Sequence, residues 1–74
     1  MEPELLEVLR EAVETRQRKE ELERSIGRAL RRHEFDFKIY VKMTSELREM
    51  ADKQGTSFDD AAREILGQQK DQTH

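Results

Sequence analysis

The sequence predicts a mainly α-helical fold with one short β-strand. Three patterns carry that expectation. Apolar residues recur at helical spacing through the N-terminal third, apolar and polar residues alternate over 35–43, and a Gly55-Thr56-Ser57 break precedes a last helical face. The chain has 74 residues, 34% of them hydrophobic, and no cysteine. A single core of that size supplies only ~3–5 kcal/mol of net stability, and no disulfide or thiolate-bound metal can add to it. Oligomerisation is the expected supplement.

A first helix is expected to start at Glu2-Pro3-Glu4, because a first turn tolerates proline and favours acids. Leu5, Leu6, Val8, Leu9, Ala12 and Val13 form one face, and apolar positions resume at Leu22, Ile26, Ala29 and Leu30 after a polar waist over 14–21. No proline interrupts 4–32, so one long amphipathic helix over 1–33 is the economical reading, with Gly27 a weak point in its second patch. The waist splits its apolar surface into two patches. The face of Leu5, Leu9, Leu22 and Ile26 could then pack on the remainder, on a second copy, or on another protein.

Residues 35–43 change period. Phe35, Phe37, Ile39, Val41 and Met43 alternate with Asp36, Lys38, Tyr40 and Lys42, the pattern of a half-buried strand. A helical template also fits part of the stretch, through Tyr40, Met43, Leu47 and Met50. The strand is preferred for 35–39, and 40–43 is left open. A helix from Ser45 to Gln54 should end on Gly55 in the left-handed conformation. Ser57 and Asp60 then form a variant capping box, ahead of a face of Phe58, Ala61, Ala62, Ile65 and Leu66. The expected division is a helix over 1–33, a domain over 34–67 and a flexible polar tail over 68–74.

Charge is unevenly spread. Residues 1–27 and 43–74 each carry net −3, whereas 28–42 hold Arg28, Arg31, Arg32, Lys38 and Lys42 against Glu34 and Asp36, net +3. A polyanion, if one docks, would dock in the middle. The longest apolar run is Ile39-Tyr40-Val41, so neither a membrane span nor a secretory signal is expected, and the chain reads as cytoplasmic. So short a chain leaves little volume for a concave pocket, and an enzyme is not expected. No two-histidine-plus-acid spacing suggests a metal, and no cofactor is expected.

A lone strand needs a partner for its backbone hydrogen bonds, and a second copy is the simplest one. Phe35-Asp36-Phe37-Lys38-Ile39 resembles the apolar–polar–apolar–basic–apolar ribbon of the ribbon-helix-helix family, the Arc and Mnt repressors among them. Ala51-Asp52-Lys53-Gln54-Gly55-Thr56-Ser57-Phe58-Asp59 is similar to that family's turn. The resemblance covers residues 34–66. Tyr40 stands where the family often has proline, and Glu34 and Asp36 where its readers are usually neutral or basic.

The resemblance implies a homodimer with Phe35, Phe37 and Ile39 in its core, so that Phe37→Ala would cost ~3–5 kcal/mol and dissociate the protein. It implies a repressor-like regulator of double-stranded DNA that inserts a two-stranded ribbon into the major groove. The base readers would be Glu34, Asp36 and Lys38, the phosphate contacts Arg31, Arg32 and His33, and the phosphate clamp the backbone at Ser57 and Phe58. Two other arrangements stand beside it. One keeps the fold and serves a protein partner instead of DNA. The other is an all-helical oligomer in which 37–54 is a single helix.

Overall fold

The structure, a computed structural model, describes the backbone of residues 1–72 and the side chains of residues 1–67. It holds four helices: α1 (Pro3–Thr15), α2 (Leu22–Arg32), α3 (Phe37–Gln54) and α4 (Phe58–Gln72). No strand occurs among the described residues. Packing runs round a ring, α1 on α2, α2 on α3, α3 on α4 and α4 on α1, within 28 × 27 × 25 Å.

The N-terminal third is a hairpin of two helices, not one long helix. Folding back at residues 16–21 lets the two apolar patches cover each other, which a straight helix could not do. Leu5, Leu9, Ala12, Leu22, Ile26, Ala29 and Leu30 are all buried in one core. The Ser25 hydroxyl, itself buried, donates to the Ala12 carbonyl at 2.6 Å and ties α2 to α1. The loop is a turn closed by the Glu20 N–H on the Gln17 carbonyl at 3.0 Å, with Lys19 at φ 68.

Arg28 of α2 holds this hairpin from the other side. Its guanidinium donates to the Glu20 carboxylate and, at 3.0 Å, to the Thr15 carbonyl at the end of α1. The bond from Arg28, and then the Gln17 backbone N–H, hold the Glu20 carboxyl below the ordinary carboxylate range. A depressed acid stabilises the fold above its unfolded pKa, and the contribution is lost as pH falls through the lowered value.

The expected strand is instead a corner followed by helix. At the end of α2 the Phe35 N–H donates to the Leu30 carbonyl at 3.0 Å and the Glu34 N–H to the Arg31 carbonyl at 3.1 Å, with Glu34 at φ 60. This is a Schellman ending with glutamate at the left-handed position. One residue later the Asp36 carboxylate accepts from the Lys38 N–H at 3.3 Å and caps α3. The helical template through Tyr40, Met43 and Leu47 prevails over the alternation because it sends Met43 and Leu47, both fully buried, into the common core. The ribbon-helix-helix fold is therefore overturned: Phe37 and Ile39 lie on α3 and Phe35 on the corner, with none of them in a ribbon.

The second corner follows the sequence closely. Gly55 is left-handed at φ 66, the Thr56 N–H donates to the Ala51 carbonyl at 3.0 Å, and the Asp60 N–H donates to the Ser57 hydroxyl at 3.1 Å. Helix α4 buries Ala61 and Ala62 and runs through Gly67 to Gln72. Of the flexible polar tail expected over 68–74, the backbone of 68–72 continues α4, and residues 73–74 lie outside the described residues.

The ribbon expected to carry Phe35, Phe37 and Ile39 is absent, and Phe37 lies on α3, 71% exposed. Phe37→Ala should therefore change stability by less than about 0.5 kcal/mol, whereas Leu47→Ala, at a site with no solvent exposure, should cost about 2–5 kcal/mol. Thermal or urea unfolding of the two variants checks both values. Glu34→Gly should stabilise the chain by roughly 1 kcal/mol in the same assay, because glycine has no Cβ to strain at positive φ.

Candidate functional site

The exposed apolar surface gathers where α2 meets the start of α3. Gly27, Leu30, Phe35, Phe37 and Tyr40 line an open cleft of about 430 Å³ there, with Glu23, Arg24, Arg31 and Asp36. Each element supplies its part for a local reason. The Schellman ending turns Phe35 back toward Leu30, the apolar pairing that accompanies this motif. The Asp36 cap sets the first turn of α3 so that the Phe37 and Tyr40 rings stack, with centroids 5.5 Å apart. Gly27 has no side chain opposite Tyr40, and a Cβ placed there would lie 3.5 Å from the ring. Val41, 47% exposed, continues the apolar surface one turn beyond Phe37.

The acids of the cleft are engaged within the chain and its bases are not. Glu23 lies 3.7 Å from Arg48 of α3, and Asp36 caps α3. Arg24 and Arg31 are exposed, and neither has an ion-pair partner among the described residues. Lys38 and Lys42 are exposed on α3 beside Phe37 and Val41, and Lys42 is only 3.9 Å from a largely exposed Glu2 carboxylate. Glu34 is the one exposed acid of the corner whose side chain neither an ion pair nor a hydrogen bond engages among the described residues, Asp36 being held by the Lys38 N–H.

The residues singled out from the sequence part company here. Glu34, Asp36 and Lys38 cannot form one outward ribbon face, since Glu34 ends α2, Asp36 precedes α3 and Lys38 lies in its first turn. Arg31 and Arg32 sit in the last turn of α2, where a positive charge complements the helix end. His33 closes α2, with its Nε2 3.2 Å from a Glu11 carboxylate oxygen. Ser57 caps α4, while Phe58 packs half-buried against the core. Leu5, Leu9, Leu22 and Ile26, the face offered to a partner, are buried within this chain.

Sequence reasoning missed Gly27, Leu30, Tyr40 and Arg24 as members of one site. The signal that could have found them is the helical template through Tyr40, because it puts Phe37, Tyr40 and Val41 on one side of a helix. No helix among the described residues is long and apolar enough to cross a membrane, and no group of three acids or histidines there could hold a metal ion.

Gly27→Ala should raise stability by roughly 0.5–1 kcal/mol, since it removes a helix-interior glycine and the added methyl meets Tyr40 at ordinary contact distance. It should also make the cleft shallower at Tyr40. Unfolding curves read the first effect, and the chemical shifts of the Tyr40 ring read the second.

No protein-family model, curated protein or solved structure matches the chain.

Proposed function

We propose that this chain is a non-catalytic protein-interaction module that receives a partner in the cleft between α2 and α3. The observation that carries the reading is Phe37, 71% exposed and stacked on Tyr40 over an apolar floor. Aromatic side chains with nearby arginines are the residues that anchor protein interfaces. The core does not require Phe37, so its cost in exposed apolar surface is offset only when something covers it. A DNA-binding role for the chain no longer has a ribbon to act through. Its remaining support is the basic character of residues 28–42, which a protein partner can use equally well.

Peptides selected from a random library against the chain, and then located by chemical-shift mapping, test the reading. The expected binders perturb Leu30, Phe37 and Tyr40 and lose affinity for Phe37→Asp. Binders that map elsewhere would overturn the reading. So would binding of random duplex DNA at ~50 mM salt that is indifferent to Phe37→Asp and stronger than that of any selected peptide.

A further inference from the structure

We infer that the partner segment is an acidic amphipathic helix, whose apolar side chains enter the α2–α3 cleft and whose carboxylates meet Arg24, Arg31, Lys38 and Lys42. The inference rests on the docking reading above and adds the chemistry of the occupant.

Shape comes first. The cleft lies between two helices, α2 and α3, and its open side is extended along α3 by Phe37 and Val41, one turn apart. A groove of this kind takes the apolar stripe of a third helix, whose anchors recur at i, i+3 or i+4 and i+7. At about 430 Å³ it holds a few side chains and cannot swallow a folded domain.

Charge then selects among helices. The cleft's own acids are spent inside the chain, Glu23 on Arg48 and Asp36 on the α3 N-terminus. The uncommitted charges around it are the cations Arg24, Arg31 and Lys38, set against Glu34 at the corner, with Lys42 at 3.9 Å from an exposed Glu2 carboxylate. All of these cations but Arg24 belong to the one segment of net +3, residues 28–42, in a chain whose flanks are each net −3. Such a rim steers an acidic ligand toward the cleft and disfavours a basic one.

The same charges argue against a second copy as the occupant. In a two-fold pair built on this face, the patch meets itself, and the unpaired cations of one copy face those of the other. An extended polyanion would satisfy the cations and leave the exposed Phe37 and Val41 without apolar contact.

The test is a displayed library of helical peptides with three fixed leucines at i, i+4 and i+7. Its flanking positions are free to be Glu, Gln or Lys, and it is selected against the whole chain. Selected sequences should be enriched in Glu over Lys, and their affinity should fall as salt rises. Affinity should fall by about tenfold or more for the Arg24→Glu, Arg31→Glu double variant, and binding should be lost with Phe37→Ala. Circular dichroism of each variant confirms that it is folded, which is expected because all three positions are exposed.

Enrichment in Lys, or none in either charge, with binding still dependent on Phe37, would overturn the acidic occupant and leave the docking reading standing. Binders indifferent to Phe37→Ala, or no enrichment over input, would overturn the docking reading with it. A dimer of the chain alone that Phe37→Ala dissolves in sedimentation would replace the acidic helix by a second copy. Displacement of selected peptides by random duplex DNA at matched charge concentration, with shifts at Leu30 and Tyr40, would replace it by a nucleic acid.

Discussion

The corner at residues 33–36 is the constraint on which the rest of the architecture depends. A strand offers its N–H and C=O groups outward, to a neighbour. Here the Glu34 and Phe35 N–H groups are already bonded to the Arg31 and Leu30 carbonyls, and the Asp36 carboxylate has taken the Lys38 N–H. With these groups satisfied inside one chain, nothing remains for a ladder with a second copy to begin from. The reason for expecting an obligate dimer goes with them. The same three bonds fix where α3 starts, and so which of its residues face α2.

Closing the chain on itself also explains the hairpin before the corner. Leu9 of α1, Ile26 of α2, Met43 and Leu47 of α3, and Ala61 and Ala62 of α4 are all without exposure. The core thus draws on every helix and on few large side chains. Small residues make this possible. Ala12 and Ser25 let α1 and α2 approach until a hydroxyl reaches a carbonyl at 2.6 Å, and α4 contributes two fully buried alanines, Ala61 and Ala62. A chain with 34% hydrophobic residues can fill a core only if that core is narrow.

Much of this is legible in the sequence. The face of α1, the apolar positions of α2, the left-handed Gly55 and the Ser57 cap each follow from one local rule, and each is found where that rule puts it. The two misreadings share a physical cause. At Arg16–Glu21 and at His33–Asp36 the chain turns without glycine or proline, using Lys19 and Glu34 at positive φ. Long polar side chains there read as good helix or strand formers, and only tertiary packing, which lets two apolar patches meet, makes the strained conformation worthwhile. The candidate site was illegible for a related reason. Gly27, Leu30 and Tyr40 come together only through the corner at 33–36, which no glycine or proline marks.

The alternation over 35–43 has a different meaning once it is wound into a helix. Residues two apart then lie nearly opposite, and residues four apart lie on the same side. Ile39 and Met43 turn inward, half-buried and fully buried, while Phe37 and Val41 turn outward, 71% and 47% exposed. A helix that served only its own core would carry polar residues at 37 and 41, as α3 does at Ser45, Glu49 and Lys53. The strand-like pattern is thus the sum of two helical demands on one segment. One side is apolar to hold the fold together. The other side is apolar at two positions that the fold does not use, beside Lys38, which no acid of the described residues engages, and Lys42, 3.9 Å from an exposed Glu2 carboxylate. That second demand calls for a surface from outside the chain, and the cleft of Gly27, Leu30 and Tyr40 is where it would seat.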